Sequence, residues 1–312
     1  MSSRHDHDHD HPHHDHGHAH GHSHGHETAF GVGAALNAAF VVVQVGAGLY
    51  AGSMALIADA GHNLADVLGL LLAWAAVRLG RQRPSRRRTY GYRRSSILAS
   101  LANAVILLIG VGAIAVESIR RLFEPTPVAT GIMMAVAALG IAINGGSALL
   151  FMRGRRHDLN IRGAFLHLVS DALVSVGVVV AAVLIQLTGL RWIDPAAGLA
   201  IAAIITWGTW SLLRESLHLA MDGVPGDIDP EAVETYLGQL PGVTGVHHLH
   251  IWATSTTETA LTVHLVRPGR PLDDALLSQA SGELRRRFGI AHATFQVERG
   301  DATCAIEPAA AV

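Results

Sequence analysis

Lysine is absent from this chain: all 23 basic residues are arginine. Cysteine is nearly absent too. One residue, Cys304, excludes a disulfide framework and cysteine-rich metal centres. Charge of either sign is scarce, at 15% of 312 residues, against roughly 25% in an ordinary soluble protein. The formal charge of -2 leaves no bulk basic character that would argue for nucleic acid as a partner. A soluble globule of this size needs far more polar surface, so membrane embedding is the first expectation. The missing lysine, beside much alanine, glycine, valine and arginine, is the compositional habit of a GC-rich bacterial genome. Apolar residues make up 50% of the chain, and histidine reaches 21 residues.

Twelve of those histidines crowd the first 26 positions: His5, His7, His9, His11, His13, His14, His16, His18, His20, His22, His24 and His26. They alternate with aspartate and glycine. Such a segment cannot bury a core and is expected to be disordered. It also lacks the charged-then-apolar order of an export signal. Neutral imidazole is a common ligand for zinc and similar ions, so residues 1–27 read as a flexible metal-capture tail.

From Thr28 to Ala58 no side chain is charged. Spans are expected at about 29–50 and 54–77, in the uncharged stretches 95–116 and 125–152, at about 164–186, and in the uncharged stretch 195–213. A spanning helix needs about 20 residues, which makes six within a domain at 28–215. The loop 78–94 carries eight arginines and the loop 153–162 four, whereas the opposite side has Arg120, Arg121 and Arg191. Positive loops stay cytoplasmic. An even number of spans then puts both termini in the cytoplasm. Trp192, Trp207 and Trp210 read either as interfacial anchors or as lipid-facing filler.

After Arg214 the texture becomes mixed and soluble. A short helix is expected from Asp229 to Leu240, with Asp229 as N-cap and Pro230 in the first position. Strands are expected at His247–Trp252, Thr259–Val266 and His292–Val297, and an amphipathic helix at Pro271–Phe288. The order α-β-β-α-β gives a small α+β domain over 216–312.

Ionisable groups at membrane depth cost about 2.5–3.5 kcal/mol each for aspartate and usually serve a site. Here they repeat. His62 and Asp66 are four apart on the second span, and His167 and Asp171 are four apart on the fifth. Residues at i and i+4 share a helix face. Two such helices facing each other offer two nitrogens and two oxygens, which suits a tetrahedral borderline ion such as zinc. Cu(I) would want sulfur, and calcium a carboxylate-rich shell. Small residues beside the pairs (Gly61, Ala65 and Gly69; Ser170 and Ser175) let helices approach closely. Asp59, three before His62, is either part of an exit path or a solvated helix start, with the second favoured.

The segment Ser53-Met54-Ala55-Leu56-Ile57-Ala58-Asp59-Ala60-Gly61-His62 with Asp66 resembles the second-helix motif of the cation diffusion facilitators. Further family-like segments are Thr89-Tyr90-Gly91-Tyr92, Asp158 to Ala164, Asp194-Pro195, Asp222-Gly223-Val224-Pro225 and His247-His248-Leu249-His250-Ile251-Trp252. The resemblance runs from about Asn37 to Glu298. It implies a homodimeric metal–proton antiporter with six helices per subunit and a cytoplasmic domain of ferredoxin-like, metallochaperone-like fold. It also implies the zinc-preferring branch, with cadmium and cobalt as secondary substrates, in a bacterial inner (plasma) membrane. By the same resemblance, His247, His264, Glu298 and Cys304 fall where relatives place regulatory metal ligands, with His248, His250 and His292 nearby. Two positions depart from the pattern: Gln44 and Ser96 stand where relatives often carry acidic residues. The Arg-rich loop between the second and third spans has no histidine, so no metal is expected there.

Metal needs neutral histidine and ionised aspartate, so protons and metal compete for one site. Export of Zn(II) in exchange for protons by alternating access follows, with zinc as substrate and no cofactor as catalyst. An intramembrane zinc protease would need His-Glu-x-x-His; Asn63 follows His62, and no glutamate is near either pair. A transporter for Mn(II) or Fe(II), and a membrane metal sensor or store, are the alternative readings.

Overall fold

The computed structural model describes residues 24–152, 159–269 and 274–300. Six long helices come first: α1 (His24–Ala51), α2 (Met54–Gly80), α3 (Ser95–Phe123), α4 (Thr130–Phe151), α5 (Leu159–Thr188) and α6 (Ile193–Ala220). An α+β unit follows: α7 (Pro230–Gly238), β1 (Gly245–Ala253), β2 (Thr259–Val266), α8 (Asp274–Phe288) and β3 (Ile290–Glu298). Five helices, α2 to α6, are long and apolar enough to cross a membrane, and α1 adds the apolar stretch Ala38–Ala51. At 1.5 Å per residue the 27 residues of α2 reach about 40 Å, enough to span a hydrocarbon core of about 30 Å. Helix α1 begins at His24, so the last two tail histidines lie on helical backbone.

In the bundle α4 lies along α5, and α3 along α6. Helix α2 packs against α1, α3 and α6, and it touches α5. Its start is fixed by caps. Ser53 Oγ accepts from Leu56 N at 3.1 Å. Asp194, at the head of α6, accepts from Ser53 Oγ at 2.5 Å, Met54 N at 2.6 Å and Ala55 N at 3.3 Å. One carboxylate thus answers the open amides that every helix start leaves behind. The Asp194-Pro195 segment thereby finds its role: it pins α2, which carries His62 and Asp66, to α6.

Ala55, Leu56, Ala58, Met133, Ala137, Val178, Ala182, Ile201 and Ile205 form a buried cluster at the end of the bundle away from the α+β domain. At the near end, Ile97, Leu219 and Ala253 pack together across the junction between helices and sheet. Arg94 pairs with Asp222, and Arg93 with Glu258. His292 lies 2.9 Å from Arg93 Nη1, and Thr256 N donates to Ser96 Oγ at 3.0 Å. The Arg-rich loop therefore docks the α+β domain, and Ser96 accepts one of the docking hydrogen bonds. Gly223 leaves room for the His218 ring at the bend after α6, since a Cβ there would lie 2.3 Å from it. That ring reaches Val224 O at 2.8 Å.

The sheet order is β1-β2-β3, with β1/β2 antiparallel and β2/β3 parallel. Leu261, Val263 and Leu265 point to one face and pack under Val233 and Leu237 of α7 and Ala280 and Leu284 of α8. The alternation of β2 sends His264 to the other face. Asp229 caps α7, accepting from Glu231 N at 3.0 Å, with Pro230 in the first turn as expected. Every expected element of this domain is present, with ends moved by up to three residues among those described.

Candidate metal sites

The two helical pairs meet. Asp171, 2% exposed, stands between two imidazoles: His62 Nε2 lies 3.1 Å from its Oδ1, and His167 Nε2 lies 3.5 Å from its Oδ2. His167 Nε2 is also 3.4 Å from Asp66 Oδ2. The two rings stand edge to face with centroids 6.2 Å apart. A tetrahedral zinc ion with bonds of about 2.0–2.1 Å has donor–donor edges of about 3.3 Å. The three nitrogen–oxygen separations fall around that edge. The arrangement can hold one divalent ion and, alternatively, the protons that its two imidazoles and two carboxylates would carry in its place.

Side-chain packing explains why these faces converge. A Cβ on Gly61 would meet Ile114 Cδ1 at 3.1 Å, and one on Gly69 would meet Asn103 Nδ2 at 3.1 Å. Both glycines therefore admit α3 on one side of α2, which leaves the His62/Asp66 face to α5. Exposure is uneven: the His167 side chain is 47% exposed and those of His62 and Asp66 23%. Beyond the site, toward the end away from the α+β domain, the described side chains close up. Gln44, Asp59, Asn63 and Ser175 are buried, and the apolar cluster follows.

Asp59 is a correction. The favoured reading was a solvated helix start, but the residue is fully buried. Helix α2 begins five residues earlier, under the Asp194 cap, so Asp59 already lies one turn and more inside the bundle. Its Oδ2 accepts from Gln44 Nε2 at 2.6 Å and from Ser175 Oγ at 3.1 Å. Asn63 Nδ2 donates to Gln44 Oε1 at 2.9 Å. Gln44, noted only as a departure from an acidic pattern, is the hub of this network. The available signal was the i, i+4 spacing of Asp59 and Asn63, which repeats that of the metal pair.

A second cluster lies on the sheet. His247 and His264 are paired across β1 and β2. His247 Nε2 is 3.1 Å from Glu298 Oε2, and His264 Nδ1 is 2.9 Å from Glu298 Oε1. Burial pushes the Glu298 carboxyl up; the Gln296 amide, donating at 2.8 Å, and the flanking imidazoles outweigh it and hold the group below its usual range. A bulge between His247 and His250 puts His248 at φ 53 and carries its ring to 4.9 Å from that of His264. His250 is 4.5 Å from His248, whereas His292 sits at the domain junction instead. Cys304 and the histidines from His5 to His22 lie outside the described residues.

The family profile described as cation efflux transmembrane domain matches residues 32–219, and that described as cation efflux protein, cytoplasmic domain, matches residues 225–300. The zinc transporter ZitB of Escherichia coli is 38% identical over 273 residues, 86% of this chain and 85% of that one. The metal cation efflux system protein CzcD of Cupriavidus metallidurans is 38% identical over 274 residues, 87% and 86% of the two chains. The cadmium, cobalt and zinc/H(+)-K(+) antiporter of Bacillus subtilis is 33% identical over 268 residues, 83% and 85%.

Proposed function

The chain belongs to the cation efflux family, and from that premise we propose that it exports Zn(II) from the cytoplasm in exchange for protons. It is a multi-pass membrane protein. The observation that carries the proposal is that His62, Asp66 and Asp171 bring ligand atoms within 4.8 Å of one another, with His167 beside them at 3.4 Å from Asp66 and 3.5 Å from Asp171. Two imidazoles and two carboxylates match zinc, and the relatives named as zinc transporter and as cadmium, cobalt and zinc antiporter support the metal class. Cadmium and cobalt are secondary substrates on this reading. Such relatives are transporters, and a site with four protein donors leaves no open position for a catalytic water.

The site binds metal when both histidines are neutral and both aspartates ionised. Facing a proton-rich exterior, the same groups take protons and release the ion. Closure of the bundle beyond Asp59 supports loading from the side of the α+β domain, which is cytoplasmic by the arginine count of the adjoining loop. Both termini then lie in the cytoplasm of a bacterial inner membrane. His247, His264 and Glu298 fit a resident zinc ion by donor type, with Cys304 the proposed further ligand. Held there, the ion would tighten the α+β domains of a homodimer when cytosolic metal rises. The tail histidines would concentrate metal at the entrance.

Metal uptake into everted membrane vesicles, run for zinc, cadmium, cobalt and manganese with and without a pH gradient, tests the proposal. Zinc uptake that requires the gradient and the four site residues is expected. Uptake of manganese in preference to zinc would overturn the substrate assignment.

A further inference from the structure

Asp59 has no task in the exchange as described, yet it is a carboxyl group with 0% exposure. It lies three residues from His62, on the side of the metal site away from the α+β domain. Both of its donors, Gln44 Nε2 at 2.6 Å and Ser175 Oγ at 3.1 Å, reach the same oxygen, Oδ2. Among the described residues its Oδ1 is buried without a partner, and so is Oδ1 of Asn63 on the next turn. Gln44 cannot help further, because its Nε2 serves Asp59 and its Oε1 accepts from Asn63. Two acceptor oxygens on one helix face therefore lack a donor. Leaving a buried acceptor unsatisfied costs about 1–3 kcal/mol, and more when it is charged.

What is missing is a positive partner. The packing says how large it is. A Cβ on Gly140 would already meet Ser175 Oγ at 2.9 Å and Phe40 Cζ at 3.0 Å, and Gln44, Asn63 and Ser175 are all fully buried. A hydrated metal ion does not fit this packing, whereas a proton on Asp59 Oδ1 does.

We propose that Asp59 is a proton-binding carboxyl of the transport cycle, loaded from the side opposite the α+β domain when the divalent ion leaves. This rests on the metal–proton exchange proposed above. The coupling is through space. Of the titratable groups facing Asp59, His62 is on its own helix and Asp171 on α5, with Asp66 and His167 one turn beyond. Helix α1 presents Gln44, and α4 is uncharged along its length. Helix α3 is uncharged from Ser95 to Val116, and α6 offers Asp194, already committed to the α2 amides. An ion held by His62 and Asp171 disfavours a proton on Asp59. Once the ion is gone, the bare Asp171 charge favours one. The proton moves from water to Oδ1 and back, and no bond to the metal is made.

The test is a count of protons released when zinc binds the purified full chain in detergent, beside proton and zinc counts in proteoliposomes. The unmodified protein tests the exchange itself: zinc flux without proton movement overturns that reading and this one together. With exchange present, the Asp59→Asn variant is expected to bind zinc and release about one proton fewer per ion. An equal count overturns the role of Asp59. Should that variant not fold, Ser175→Ala decides. It removes one of the two donors to Asp59 and shifts the half-maximal pH of zinc flux. An unmoved profile overturns the proposal.

Discussion

Asp171→Asn is the most revealing single substitution. Among the described residues its carboxylate is the only one within 3.5 Å of both imidazoles, and at 2% exposure no water can take its place. Removing one member of a buried, charge-paired set costs about 3–5 kcal/mol. At 1.4 kcal/mol per decade, that is a loss of about 100- to 4,000-fold in zinc affinity. The effect can be read as stability. Zinc at a hundred times the dissociation constant of the unmodified protein stabilises it by about 2.7 kcal/mol. With the affinity cut 100-fold, the same zinc stabilises the variant by about 0.4 kcal/mol through the transport site. Thermal unfolding in detergent, with and without zinc, gives both numbers, provided His264→Ala is present in both proteins to silence the sheet cluster. Asp66→Asn should lose less, because Asp66 comes within 3.5 Å of one imidazole rather than two, His167 at 3.4 Å, and is 23% exposed. Equal losses in the two variants, or full zinc stabilisation of Asp171→Asn, would refute the geometry of a shared ion.

Asp194→Ala leaves the first amides of α2 and Ser53 without their acceptor, and unfolding in detergent should show a loss of about 1–3 kcal/mol together with reduced flux. Gly223→Ala puts a methyl group 2.3 Å from the exposed His218 ring, which must swing aside and give up its contact with Val224 O, a cost of about 0.5–1.5 kcal/mol visible in the melting temperature. The sheet cluster carries its own pH signature. Glu298 is held below its ordinary carboxylate value, so its contribution to stability is present at and above that value and is lost as pH falls through the lowered one. Zinc binding to this cluster in an Asp171→Asn background should likewise weaken as pH falls, because protons compete with the ion for the same donors. Calorimetry across pH checks this, and a zinc affinity that does not change on acidification would contradict it.

Much of this was legible in the chain. Uncharged stretches of about 20 residues announce helices because a bilayer admits little else. The repeated His-x-x-x-Asp pair announces a shared site because helical periodicity fixes which residues coincide. The strand Thr259–Val266 was bounded to the residue, with apolar and polar side chains alternating over Leu261–Leu265. What stayed hidden depends on partners distant in sequence. Asp59 looked solvated until Gln44 and Ser175, from two other helices, were seen to close over it. Asp194 stood out only as part of a family-like segment, and its role as the cap of a helix 140 residues away depends on the fold. The docking of Arg93 and Arg94 on the α+β domain could not be separated from their topological role, since positive charge in that loop serves both. The bulge at His248 leaves no mark in composition, for it is set by register.

The measurement that bears most directly on the account is zinc movement in proteoliposomes holding the full chain, with zinc equal on both sides and only a pH gradient imposed. The account predicts that zinc moves away from equality, toward the acidic side, and that His62→Ala and Asp171→Asn abolish the movement. Zinc that stays at equality despite the gradient, in vesicles that equilibrate zinc readily when a zinc gradient is supplied, would contradict it.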